Sequence, residues 1–187
     1  MKKYFTILMG IIMTISVLAV EVAGINLADT KEFHGNTLVL NGAGIRKKAF
    51  FELYVAALYL DKKSDNEKKI IASSEPMIIE LIITSALVGS KEMKEAVDEG
   101  FKNSVSPEEL TRLSSRIEEF TSAFSREEIK KGDIFQFSAH EGSLTAVKNG
   151  KDLLSIDGED FKSGLFGIWL GAQPADKNLK KSLLSGK

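Results

Sequence analysis

Arg46 is the residue of this sequence best suited to bind a charged ligand. It follows a Gly-Ala-Gly tripeptide, residues 42–44, and it precedes an almost unbroken apolar segment, residues 49–60. A guanidinium group keeps its charge, and burying it without a partner is very costly. An arginine beside an apolar wall is therefore either exposed, here in a turn with Lys47 and Lys48, or available to an anion. The residues alone leave both interpretations open.

The two glycines before Arg46 do not predict a nucleotide site. A dinucleotide-binding loop needs a third glycine and a helix directly after it. Lys47 occupies the third glycine position here, and the segment that follows has the composition of a strand.

The remaining candidates for catalysis or metal binding are isolated. His34 and His140 have no second histidine at metal-ligand spacing and no catalytic motif around them, so we expect surface or hydrogen-bonded histidines. The chain has no cysteine, which excludes disulfides, thiolate metal sites and cysteine nucleophiles. No serine lies in a nucleophile elbow. We therefore predict no metal site and no cofactor.

Strand patterns cover much of the chain around Arg46. Short β-branched and aromatic runs bounded by turn residues predict strands. Asn149-Gly150 between two alternating runs predicts a two-residue hairpin. No element is predicted between residues 24 and 35, and the first strand is expected to end at Asn41-Gly42. The predicted strands are residues 37–40, 50–60, 77–84, 133–139, 144–148 and 151–155.

Four segments predict helices. Ser90 is expected to cap the first, and Ser106, followed by Pro107 and Glu109, caps the second through a capping box. The third carries an apolar face that includes Trp169 and stops at Gly171, and a short helix with Leu179 and Leu183 follows. Because strands and helices do not alternate, we predict an α+β fold with an antiparallel sheet.

The composition is that of a globular chain with one core. It has 187 residues, 43% of them hydrophobic and 27% charged, and a net charge of -1. Nothing supplies the basic face that a nucleic acid would require, so we predict no nucleic-acid partner.

The first residues have the pattern of a secretory signal. Lys2 and Lys3 precede an apolar run, residues 4–20, that ends in small residues. We expect cleavage after Ala19, or as late as Ala23, which leaves a single domain of residues 20–187 exported to the periplasm and without a membrane span. The alternative is an uncleaved membrane anchor.

Four blocks of the sequence resemble the chalcone isomerase-like family. They occur in the family's order and cover residues 37–184, and the first block is the most specific. The resemblance is to the bacterial, exported branch, and it implies a large antiparallel sheet, helices packed on one face, and a ligand cleft between them. The blocks are NGAGIRKKAFFELYVAALYL, VGSKEMKEAVDEGF, IFQFSAHEGSLTAV and IWLGAQPADKNLKKSLL.

The resemblance also implies a role for Arg46. In the plant isomerases the motif arginine polarises the substrate, helped by hydroxyl groups on a strand and on the first helix. In the fatty-acid-binding relatives it grips a carboxylate together with a strand tyrosine. The strand position is Tyr54 here, as in the binding proteins, and the isomerase's tyrosine and asparagine align with Met93 and Gly100.

These departures favour a noncatalytic protein that binds a small amphipathic anion, such as a fatty acid, through Arg46 and Tyr54. One alternative is an isomerase of unsaturated ketones that uses the same two residues. Another is an envelope interaction protein with a vestigial cleft. One geometric difficulty accompanies the site: along a straight strand, eight residues would separate Arg46 from Tyr54 by about 26 Å at ~3.3 Å per residue. The chain must therefore bend or reverse between them.

Overall fold

A computed structural model describes residues 19–186 of the chain. The predicted signal segment, apart from Ala19, lies outside the described residues. The elements follow in the order β1 (Ala19–Val22), β2 (Ile25–Ala28), β3 (Thr30–Phe33), β4 (Asn36–Lys48), β5 (Phe51–Leu60), α1 (Glu67–Ala72), β6 (Met77–Ile83), α2 (Ser90–Ser104), α3 (Pro107–Ala123), β7 (Ile134–His140), β8 (Ser143–Lys148), β9 (Lys151–Asp157), α4 (Glu159–Leu170) and α5 (Lys177–Leu183).

Strands β3 to β9 form one curled antiparallel sheet in sequence order, and β1 and β2 pair separately. The α+β prediction is therefore confirmed. The expected hairpin joins β8 to β9, where Asn149 and Gly150 both have positive φ angles, 50° and 79°. Ser106 and Glu109 form the predicted capping box of α3.

The helices pack on one face of this sheet. Alternate residues of β5, such as Leu58 and Leu60, point into the main core with aromatic side chains of α3, β7 and α4. The intervening residues, such as Val55 and Tyr59, lie in a second apolar cluster on the opposite face. The N-terminal strands contribute Leu27 to that second cluster, so part of the face without helices is covered as well.

Four sequence predictions about the elements were wrong. Residues 24–35, for which no element was predicted, contain the whole of β2 and β3. Residues 67–72 form a short helix that was not predicted, α1. The cap of α2 is Gly89 rather than Ser90, which is the first helical residue. Strand β4 does not end at Asn41 but continues to Lys48.

The glycines of residues 42–44 therefore lie inside a strand rather than in a turn. They are needed because α5 and the residues after it pack directly on the backbone of β4. A Cβ atom at Gly42 would lie 2.7 Å from the carbonyl oxygen of Leu183, and one at Gly44 would lie 2.6 Å from the Cβ of Ser182. None of the helices within residues 19–186 is long and apolar enough to span a bilayer.

Candidate functional site

A cavity of about 440 Å³ lies between the β4–β5 hairpin, α2 and the end of α4. This is the expected cleft between the sheet and the helices. Its lining is largely apolar, and Arg46, Tyr54 and Trp169 supply polar groups on the sheet and α4 side. The apolar side chains of the wall include Leu53, Leu81, Val88, Met93, Val97 and Ile168.

The hairpin brings Arg46 and Tyr54 together. Strand β4 reverses into β5 at Ala49 and Phe50, with Ala49 at a positive φ of 55°. Arg46 is paired with Tyr54 across the two strands, and a bulge follows at Lys47. Partners in an antiparallel pair have Cα atoms only about 5 Å apart. The reversal that the sequence required is therefore present, and the distance along the chain is no obstacle to a shared site.

The guanidinium of Arg46 is only partly exposed, because its side chain retains 20% of its accessible surface. Its Nη1 atom donates to the backbone oxygen of Lys47 and lies 3.5 Å from Oδ2 of Asp176. The guanidinium group is thus neither exposed to bulk water nor buried against apolar side chains alone. An internal carboxylate partly neutralises it.

Asp176 holds this position because it is also the N-cap of α5. Its Oδ1 accepts hydrogen bonds from the backbone N–H groups of Asn178, at 2.8 Å, and Leu179, at 3.1 Å. Its Oδ2 accepts from the N–H of Lys47 at 3.2 Å. Burial alone would raise the pKa of Asp176, but these N–H donors and the charge of Arg46 outweigh it and lower the pKa. Asp176 is therefore ionised at neutral pH.

Tyr54 lies beside this ion pair with its hydroxyl group at the cavity. The indole Nε1 of Trp169 donates to that hydroxyl oxygen at 3.1 Å. Burial raises the pKa of Tyr54, while the Trp169 hydrogen bond and the Arg46 charge act in the opposite direction and only reduce the rise. The phenol is therefore protonated, and within the described residues its own proton has no hydrogen-bond acceptor.

Met93 and Gly100, which the family resemblance aligns with the isomerases' tyrosine and asparagine, both line the cavity. Met93 is buried, with 5% of its surface exposed. A Cβ atom at Gly100 would lie 2.7 Å from the side chain of Ile168, so the glycine lets α2 approach α4 closely. These two positions provide no hydrogen-bond donor to a ligand.

Acidic side chains line the α2 side of the cavity mouth. Glu92 accepts a hydrogen bond from the N–H of Gly89 at 3.1 Å, and Glu95 lies 3.8 Å from the ammonium group of Lys91. Glu99 lines the same edge. The positive charge of the cavity lining is therefore confined to the hairpin side, where Arg46 and Lys48 lie.

Sequence reasoning missed two members of this site. Trp169 was predicted only as part of the apolar face of a helix, although its indole N–H donates a hydrogen bond to the Tyr54 hydroxyl. Asp176 precedes a short helix and could have been identified as a cap, but its pairing with Arg46, 130 residues away in sequence, has no local signal.

The two histidines lie outside the cavity and next to each other. The rings of His34 and His140 stack with centroids 4.7 Å apart, and Phe33 packs edge-on against His34. The sequence predicted surface or hydrogen-bonded histidines, and His34 is exposed; the stacking of the two rings joins residues 106 positions apart and has no local signal in the sequence. Within residues 19–186, no group of three or more His, Cys, Asp or Glu residues is arranged to hold a metal ion.

Comparisons with known proteins agree with this architecture. The structure is similar to the crystal structure of a fatty-acid binding protein of Arabidopsis thaliana, with a TM-score of 0.71 and 18% sequence identity, over 87% of this chain and 92% of that one. At this identity the likeness shows the fold alone. No curated protein matches the sequence. A family model described as chalcone isomerase-like matches residues 19–185, and the chain therefore belongs to the chalcone isomerase-like family.

Proposed function

We propose that this protein is noncatalytic and binds a small amphipathic anion, such as a fatty acid, in the cavity beside Arg46 and Tyr54. One observation carries the proposal: a permanent cation and a protonated phenol lie side by side at an otherwise largely apolar cavity. The structural relative from Arabidopsis is a fatty-acid binding protein, which agrees with this function.

The head group would be bound by Arg46 and Tyr54 together. A carboxylate can accept two hydrogen bonds from a guanidinium and a third from a phenol. The Tyr54 hydroxyl already accepts from Trp169, so its proton is directed to another acceptor. Asp176 contacts Arg46 through a single atom at a long 3.5 Å, which leaves other guanidinium N–H groups for the ligand.

The tail would be held by the apolar wall. A volume of about 440 Å³ lies within the range of small-molecule sites in proteins. Each buried methylene contributes about 0.8 kcal/mol, so a medium-length acyl chain supplies most of the affinity. The Arg46 cation, with the Tyr54 phenol beside it, then selects for an acid over a neutral lipid.

The same wall argues against an isomerase. Stabilising a developing enolate requires donors that are in place before the reaction, and loss of one typically lowers the rate by about a hundredfold or more. Met93 and Gly100 supply none. Burial raises the pKa of Tyr54, which makes this phenol a weak general acid at neutral pH.

The N-terminal sequence supports a proposal for the place of action. Residues 1–19 have the pattern of a cleaved secretory signal, with Ala23 as the later cleavage position. We propose that the mature protein binds its ligand in the periplasm.

Native mass spectrometry of the protein purified from its own host tests the function. The expected spectrum contains a co-purifying lipid acid that disappears in Arg46→Ala and persists in Arg112→Ala. Arg112 is exposed on α3, outside the cavity lining, and serves as the matched control.

Two results would contradict the proposal. One is a wild-type spectrum without any bound acid after the protein has been incubated with a fatty-acid mixture. The other is turnover of an unsaturated ketone panel that Arg46→Ala abolishes, which would establish the isomerase instead.

A further inference from the structure

The tip of the β4–β5 hairpin exposes an unusual amount of apolar surface. Phe50, in the turn, has 98% of its surface accessible, and Phe51 after it has 57%. Leu87, in the segment between β6 and α2, has 52% exposed, and it lines the same cavity as Phe51. Phe50 buries almost no apolar surface within the fold, and clustered exposed apolar side chains mark interaction sites.

Basic residues flank this tip. Lys47 and Lys48 are exposed immediately before the turn. Lys47 lies 2.8 Å from Glu52, whereas Lys48 forms no ion pair with the residues that the structure describes. The tip therefore combines apolar side chains at its end with positive charge just behind them. The acidic residues of α2 lie on the other side of the cavity mouth.

A lipid bilayer fits this arrangement better than a protein partner. A stable protein interface buries roughly 800 Å² per partner, much more than one hairpin turn and a neighbouring leucine can supply. A bilayer needs no complementary shape, because it accepts an apolar side chain at any position, and anionic head groups attract lysines near its surface.

We propose that the hairpin tip, with Phe50 at its end and Lys48 behind it, inserts into the surface of an anionic phospholipid bilayer. Phe51 and Leu87 then face the membrane at the rim of the cavity, so the mouth opens toward lipid. This surface would allow an amphipathic ligand to pass between bilayer and cavity without crossing water. The docking itself stands on the exposure and charge of the tip and does not require the cavity ligand to be a fatty acid.

Co-sedimentation with vesicles tests this inference. The full-length wild type and its variants are expressed in the protein's own host. Each is mixed with vesicles of equal parts phosphatidylglycerol and phosphatidylcholine, or of phosphatidylcholine alone. Phe50→Ser is expected to weaken binding to the anionic vesicles by about tenfold or more, because the insertion of one phenylalanine is lost. Lys48→Gln is expected to weaken it by about fivefold.

Two control variants remove comparable groups elsewhere. Ile134→Ser changes an apolar residue that is 40% exposed at the start of β7, and Lys151→Gln changes an exposed lysine of the β8–β9 hairpin. Both are expected to bind the vesicles like the wild type. Because all variants share one N-terminus, a contribution from that segment cancels in the comparison. The inference is overturned if the wild type does not sediment with anionic vesicles, or if Phe50→Ser and Ile134→Ser bind equally.

Discussion

At the scale of the residue, the central feature is how Arg46 keeps its charge beside an apolar cavity. The sequence offered two interpretations, exposure in a turn or availability to an anion. The structure adds an internal counter-ion, Asp176, whose carboxylate is held by backbone N–H groups of α5 and by the N–H of Lys47. The guanidinium is thereby positioned and partly neutralised by groups of the protein itself.

Replacing Asp176 tests this counter-ion. In Asp176→Asn the competing negative charge is gone, so the affinity for laurate is expected to rise several-fold. Asparagine is also a good N-cap, and its Oδ1 still accepts from the start of α5, although the bond from the N–H of Lys47 is lost. Isothermal titration calorimetry measures the change, with Asp157→Asn, an exposed change at the end of β9, as the control. An unchanged or lower affinity in Asp176→Asn would show that Asp176 does not compete with the ligand.

Only some residues of the candidate site could be identified from the sequence. Arg46 and Tyr54 could be identified from the sequence because a family motif carries them. Trp169 and Asp176 could not be assigned to the site, since their partners lie 115 and 130 residues away. Nothing in the local sequence of either residue identifies so distant a partner.

At the scale of the element, the sequence correctly predicted a helix cap and a tight turn, features that depend only on neighbouring residues. The capping box of α3 and the Asn149-Gly150 hairpin were correct, because each depends only on adjacent residues. The predicted end of β4 was wrong, because its glycines are required by close packing against α5 rather than by a turn. Helix α5 lies near the other end of the chain, so the local sequence does not show this contact. Strand β3 was not predicted because it is short and mostly polar. Contacts that are distant in sequence, such as the ion pair between Lys31 and Glu80, keep it in the sheet.

The junction of α3 with α4 provides a prediction about pH. Arg116 donates two hydrogen bonds to the carboxylate of Asp160, at 2.9 and 2.7 Å, in the first turn of α4. These bonds are the main reason that the pKa of Asp160 is lower than its ordinary value of 3.8. The folded pKa is the lower one, so the stabilisation is complete above 3.8 and is lost as the pH falls through the folded pKa.

Asp160→Asn should therefore lower the free energy of unfolding at neutral pH. The difference from the wild type should shrink in acid below the ordinary carboxyl pKa. Urea unfolding at several pH values measures it, and Asp152→Asn, an exposed position of β9, is the control. A difference that stays constant into strong acid would mean that the ionised carboxylate is not responsible.

At the scale of the whole molecule, the sheet separates two apolar clusters, of which only one borders the cavity. The cluster under the helices borders the cavity, whereas the cluster under the N-terminal strands lies on the opposite face. Because alternate residues of one strand serve the two faces, a change on the opposite face should alter stability without altering the cavity.

Leu27→Ala tests this separation. Leu27 is 2% exposed in the second cluster, and its truncation is expected to lower the free energy of unfolding by about 2–4 kcal/mol. The affinity for laurate of the folded variant should equal that of the wild type. Urea unfolding and calorimetric titration measure the two quantities. A large loss of affinity in the folded variant would mean that the N-terminal strands shape the cavity after all.

The most direct test of the account compares laurate with methyl laurate as ligands of the wild type and of Arg46→Gln. Hydrogen bonds to a charged group contribute about 1.5–3 kcal/mol, so the wild type should prefer the acid by about tenfold or more. Arg46→Gln should bind both ligands with similar affinity, because the apolar wall is intact and only the charge is missing. A wild type that binds the ester as tightly as the acid, or an Arg46→Gln variant that keeps the full preference, would contradict the assignment of Arg46 as the head-group site.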